Sequence, residues 1–171
     1  MRVIGLTGSS GSGKTTLLVG MVRALTARGL AVSTVKHAHH GFDLDRRGKD
    51  SFRHREAGAR EVMLAGGSRW ALLHEHRDGV PDLAELLARM APADLLLVEG
   101  FRDAAHPKIE VFRPAHGVPP YWPGRPDIVA VACDAALPDC PLPCLDLNDV
   151  EAVVAWTLHF LGTDARMPQS P

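Results

Sequence analysis

Residues 3–25 read VIGLTGSSGSGKTTLLVGMVRAL, and the fold turns on how this stretch is read. Val3 to Leu6 is a short apolar run, the pattern of a strand buried on both faces. Gly8-Ser9-Ser10-Gly11-Ser12-Gly13-Lys14-Thr15 then fills G-x-x-x-x-G-K-[ST] at every position. Leu17, Leu18, Met21, Val22 and Leu25 recur at helical spacing, and Gly29 is placed as a C-cap. The order is strand, loop, helix. Such a loop turns its backbone amides inward on an anion, and the helix behind it adds its unpaired N–H groups and positive end. Lys14 is placed to reach the β- and γ-phosphates, and the Thr15 hydroxyl to ligate Mg²⁺. A chance serine and glycine turn is the competing reading, and the position between strand and helix argues against it.

Outward from this core, Ala31 to Lys36 reads as a second strand and His37 to Asp50 as a long polar loop. A short helix is expected over Ser51 to Ala57, then two strands, Val62 to Ala65 and Trp70 to His74, around Gly66-Gly67. Leu83 to Met90 follows a proline and acid start signal and reads as a helix. Leu95 to Glu99 is a buried strand, whereas Lys108 to Phe112 alternates polar and apolar and reads as an edge or half-exposed one. Pro114 to Pro126 reads as an irregular surface loop, Ile128 to Ala132 as the final strand, and Asn148 to Leu161 as a final helix capped by Asn148. Strands alternating with helices specify an α/β layered, mostly parallel sheet of P-loop NTPase type with helices on both faces. One nucleotide-binding domain over 1–162 is expected, with a flexible C-terminal tail at 163–171.

Two acids flank the Leu95 to Val98 run, about 16 Å apart at about 3.3 Å per residue. Ligands in such sheets bind beyond the carboxyl ends of the strands, which selects Glu99 over Asp94 as the carboxylate for a phosphate-bound Mg²⁺, directly or through water. The loop from Lys36 to Ser51 begins at the same edge. In one reading Lys36 and Lys49 contact phosphate or base, and Asp43 or Asp45 organises Mg²⁺ and its waters. In a second, His37, His39 and His40 ligate a transition metal, although adjacent His39 and His40 point apart in an extended chain. In a third the loop is merely solvated. Arg53, Arg55 and Arg60 are interrupted by Glu56 and Glu61 and read as a solvated helix face. Trp70, Trp122 and Trp156 read as core or loop anchors.

A net charge of -1 gives no drive toward nucleic acid or an anionic membrane, so a basic site must be local. Only four of the 19 basic residues are lysines, so Lys14, Lys36, Lys49 and Lys108 merit individual inspection. Three cysteines without a companion Cys/His pair read as free thiols in a reducing compartment. The first residues are unlike a signal peptide and no apolar run reaches about 18 residues, so a soluble cytoplasmic protein is expected. No nucleophile signature for acyl transfer is visible.

The run VKHAHHGFDLDRRGKDSFRHREAGA (35–59), joined to GSSGSGKTT, RWALL, LLLVEGF, PKIEVFR, AVACD and LDLNDVE, resembles the MobB family of molybdopterin-guanine dinucleotide biosynthesis adapter proteins. The likeness runs from Arg2 to about Leu161. It implies a GTP-binding P-loop protein, homodimeric, with weak GTPase activity, working with the guanylyltransferase that attaches GMP to molybdopterin. Carried over by position, Gly11, Ser12, Gly13, Lys14, Thr15 and Thr16 would hold the phosphates and Mg²⁺, Glu99 the metal side, and the Asp43 to Asp50 loop the rest of the nucleotide site. The N-K-x-D guanine signature is absent, which leaves Asp134, at the end of the last strand, as the candidate for base selectivity. Neither a water-positioning Gln nor an arginine finger stands out, so slow hydrolysis is expected, with Lys14 on the phosphates and Asp43 or Asp45 orienting water. A small-molecule kinase with Arg46, Arg47, Arg53 and Arg55 as its lid is the alternative, and a histidine-loop metallochaperone a weaker one.

Overall fold

Strands in a parallel sheet covered on both sides must be apolar on both faces, and the first and fifth strands meet that condition. The computed structural model describes residues 1–38, 44–76 and 79–163. In chain order the elements are β1 (Arg2–Thr7), α1 (Lys14–Ala27), β2 (Val32–Lys36), α2 (Asp50–Glu56), β3 (Glu61–Ala65), β4 (Trp70–His74), α3 (Leu83–Leu87), β5 (Leu95–Glu99), β6 (Lys108–Phe112), β7 (Ile128–Cys133), β8 (Cys144–Asp146) and α4 (Val150–Phe160). Two 3₁₀ turns, Pro114–His116 and Trp122–Gly124, lie between β6 and β7. They group into two units: Met1–His37 with Ala91–Pro171, and Ala38–Met90.

The first unit holds a six-stranded sheet in the order β2-β5-β1-β6-β7-β8, every neighbouring pair parallel. β1 lies between β5 and β6, so strands are added to opposite sides of it and a crevice opens beyond its carboxyl end. One face of the sheet packs Ile4, Leu6, Leu95, Leu97, Ile109 and Val111 against Leu17, Met21 and Leu25 of α1 and Val153, Val154 and Leu158 of α4. Each such side chain contributes about 1.5–3 kcal/mol by leaving water.

The opposite face corrects the reading of β6. Its alternation suggested an edge or half-exposed strand, yet β6 is interior, between β1 and β7, and Lys108 and Glu110 are buried. Both polar groups are satisfied there. The Lys108 ammonium donates to the carbonyls of Ala104 (2.6 Å) and His106 (3.1 Å) and to Asp127 Oδ2 (2.5 Å). Glu110 accepts the backbone N–H groups of Tyr121 and Trp122, each at 2.9 Å. The segment expected to be a surface loop thus covers this face with its 3₁₀ turns, and Trp122 meets Phe112 edge-on at 5.4 Å. Gly5 makes the close approach possible: a Cβ there would lie 2.4 Å from His106 Nε2.

Smaller corrections follow the same logic. β8, a strand beyond the one expected to be last, is three residues long, follows Pro143 directly and is too short to show a period. α4 is capped by Asp149, whose side chain accepts from Ala152 N at 2.9 Å, while Asn148 bonds Asp146 instead. α3 stops at Leu87, short of Met90, behind an Asp82–Glu85 capping box. Thr163, placed in the tail, is buried and donates to Leu158 O at 2.8 Å, and residues 164–171 lie outside those described. Cys133, Cys140 and Cys144 are free thiols.

In the second unit, the two strands expected around Gly66-Gly67 pair antiparallel as β3 and β4, with Val62 opposite Leu73. Trp70 is no anchor: it is 67% exposed, beside exposed Met63, Leu64 and Leu72. No helix among the described residues is long and apolar enough to cross a membrane.

Candidate functional site

At Gly8, directly after β1, a side chain is excluded twice over: φ is 138°, and a Cβ would lie 2.3 Å from the Val111 carbonyl oxygen. Gly13 then enters α1 with φ 103° and no side-chain cap. The first amides of a 14-residue helix are therefore left to face the crevice. A cavity of about 370 Å³ opens there, lined by Ser10, Gly11, Gly13, Lys14, Thr15, Thr16, Lys36 and Glu99. Ser12 lies buried beneath the loop.

Lys14 folds back over the loop, donating to Gly8 O at 3.0 Å and Ser9 O at 2.6 Å. Burial lowers its pKa, neighbouring Lys36 and Arg102 add to that, and Glu99 opposes it. The register of the sheet brings the remaining groups together. Lys36 of β2 is the partner of Glu99 on β5, and Glu99 is the partner of Leu6 on β1. Thr15 Oγ1 donates to Glu99 Oε1 at 2.8 Å, and Lys36 Nζ lies 3.1 Å from the same carboxylate oxygen. Asp94, at the far end of β5, accepts from Ala31 N at 2.9 Å and takes no part.

Thr15 Oγ1 and Glu99 Oε1 are hard oxygen donors, and their 2.8 Å separation is close to the roughly 3 Å edge of an octahedral site with metal–oxygen distances of about 2.1 Å. This donor set fits Mg²⁺. Beside it stands a residue the sequence reading missed. Arg113, just past β6, donates from Nε to Ser12 O at 3.0 Å and pairs with Asp134 through Nη1. It braces the back of the loop, and the rule that selected Glu99, a polar residue at a strand's carboxyl end, applies to it equally. Asp134, the candidate for base contact, is thus already engaged with Arg113.

The remaining expected residues have partners of their own or lie outside the described residues. Lys49 is the N-cap residue of α2, and the nearly buried Asp45 accepts from Arg55 Nη2 at 3.1 Å, both within the second unit. Arg55 also lies 3.7 Å from Glu75 and over the Phe52 ring, so this member of the supposed lid has partners in place. His37 N donates to Glu99 O at 2.8 Å, its ring 4.8 Å from Phe101. Asp43, His39 and His40 lie outside the described residues. Among the described residues no cluster of three His, Cys, Asp or Glu is able to hold a metal.

A parallel α/β sheet whose central strand runs through a glycine loop into a helix defines a P-loop NTPase-type protein. The family model described as Molybdopterin guanine dinucleotide synthesis protein B matches residues 3–134. The chain is 40% identical to the molybdopterin-guanine dinucleotide biosynthesis adapter protein of Escherichia coli K12, over 89% of each chain. It is 38% identical to the adapter protein of the same name from Haemophilus influenzae, over 94% of this chain and 92% of that one. A solved MobB homolog from Bacillus stearothermophilus superposes with a TM-score of 0.72 at 27% identity, covering 95% and 99%. The chain belongs to the MobB family.

Proposed function

We propose that this chain binds Mg²⁺·GTP in the crevice after β1 and acts as a GTP-binding adapter in the formation of molybdopterin guanine dinucleotide, hydrolysing GTP slowly. The adapter role in molybdopterin guanine dinucleotide biosynthesis comes with the family. The observation that carries the nucleotide reading is the convergence of the α1 amides, Lys14, Thr15, Lys36 and Glu99 on one cavity. The amides from Gly11 to Thr16 would cradle the β- and γ-phosphates, and Lys14 would turn from the Gly8 and Ser9 carbonyls onto their oxygens. Thr15 and Glu99 would hold Mg²⁺, which neutralises phosphate charge when bound. Among the described residues the lining includes neither a Gln nor an Arg, which supports slow turnover, with Asp43 or Asp45 the proposed water-orienting residue.

Lys49 is proposed as a further nucleotide contact and Asp134 as the guanine contact. The exposed apolar residues of the β3–β4 hairpin support protein partners; a second copy in a homodimer, and the guanylyltransferase that attaches GMP to molybdopterin, with molybdopterin itself, are proposed. The working compartment is proposed to be the cytoplasm. Calorimetric titration with GTP and ATP, each with Mg²⁺, checks the reading. GTP is expected to bind more tightly than ATP, and Lys14→Ala to weaken GTP binding about 10- to 100-fold, the worth of a charge-assisted contact. Equal affinity for the two nucleotides removes the guanine assignment.

A further inference from the structure

Lys36 sits at an unusual place for a cation. Its ammonium lies 3.1 Å from Glu99 Oε1 and 3.5 Å from Thr15 Oγ1, while those two oxygens are 2.8 Å apart. One positive charge therefore caps the two oxygens that fit a divalent ion. All three side chains line the same cavity, so ammonium and metal reach the oxygen pair from a common side. A Mg²⁺ at about 2.1 Å from each oxygen would overlap the space the ammonium takes, and the two cations would repel at contact distance. Glu99 is buried, whereas the Lys36 side chain is 61% exposed on a four-carbon stem. The carboxylate is fixed and the cation is the part able to leave.

Resting on the proposed Mg²⁺·GTP reading of this cradle, we infer that Lys36 is a built-in counter-ion and positioning residue: its ammonium and the divalent metal are alternative partners of the Glu99–Thr15 pair. Without metal, Lys36 neutralises Glu99, so the negative phosphates are not opposed by a bare buried carboxylate. With Mg²⁺ on the oxygen pair, the ammonium would be displaced toward solvent, on the side where its side chain is already exposed. Lys36 is thus what allows GTP to bind with little metal present.

The test uses the full chain and measures the GTP dissociation constant by calorimetry twice, in excess EDTA and in saturating Mg²⁺. The quantity read is the ratio of the two. Lys36→Met keeps the stem and removes the charge, and Lys36→Gln serves as a second variant. Both are expected to raise the ratio about tenfold, because the metal-free complex loses the cation paired with Glu99 while the metal complex loses a competitor. In a Glu99→Gln background the gain is expected to vanish, since the carboxylate that couples the two cations is gone. Equal weakening with and without Mg²⁺ would make Lys36 a plain phosphate contact, and unchanged affinities would make it a solvated lysine; either overturns the inference. Failure of the unaltered protein to bind GTP under both conditions is a different result, which removes the nucleotide reading itself and the inference with it.

Discussion

Lys108→Met is expected to lower the unfolding free energy by about 3 kcal/mol, measured by urea denaturation at pH 7. The variant preserves the apolar stem in the sheet but removes one donor from each of three acceptors: the carbonyls of Ala104 and His106 and Asp127 Oδ2. Breaking a buried pair from one side costs about 3–5 kcal/mol in general, because the other charge is left unpaired. Here Asp127 keeps the Arg125 fork, Nε to Oδ1 and Nη2 to Oδ2 at 3.0 Å each, which places the loss at the lower end. That fork is the first cause holding the Asp127 carboxyl well below the usual carboxylate range, with Lys108 adding to it. A loss under about 1 kcal/mol would mean that water replaces the ammonium at no cost, and that β6 is not sealed from solvent.

His106, packed on the same face, gives a pH-dependent expectation of comparable size. Burial first, and Lys108 second, push its imidazole down to about 4 from an ordinary 6.5. The unfolded chain takes up a proton near pH 6.5 and the folded chain only near 4. Stability from this group is therefore complete above pH 6.5 and is lost as pH falls through that window, by about 3 kcal/mol at most. Glu110 acts in the opposite direction, since burial raises its carboxyl and favours the fold as acid is added. Comparison with His106→Gln isolates the histidine, because Glu110 is common to both proteins. Denaturation at pH 7, 5.5 and 4.5 is expected to show a steeper loss in the unaltered chain, and parallel profiles would contradict the assignment.

β1, the glycine loop and α1 were legible because three signals agree there: an apolar run, a glycine spacing and a 3.6-residue period. The side of β5 on which a useful acid lies was legible for a geometric reason, since only Glu99 stands at the carboxyl end. β6 was misread because alternation counts Lys and Glu as solvent-facing. Lys108 is buried only because Asp127, 19 residues on, meets it. No local window contains both partners. Arg113 was passed over for a related reason: its meaning depends on Ser12 and Asp134, which the chain supplies from elsewhere. Asp149 in place of Asn148 as the α4 cap is a one-residue error, decided by which side chain reaches Ala152 N. Strand order was beyond local reading, because it depends on pairings such as Lys36 with Glu99 across 63 residues of chain.

A crystal structure with a non-hydrolysable GTP analogue and Mg²⁺ tests the central claim most directly. Phosphate density is expected over the α1 amides, with Lys14 turned onto it and the metal on Thr15 and Glu99. Phosphates lodged elsewhere, or Lys14 still bonded to Gly8 and Ser9 at saturating ligand, would contradict it.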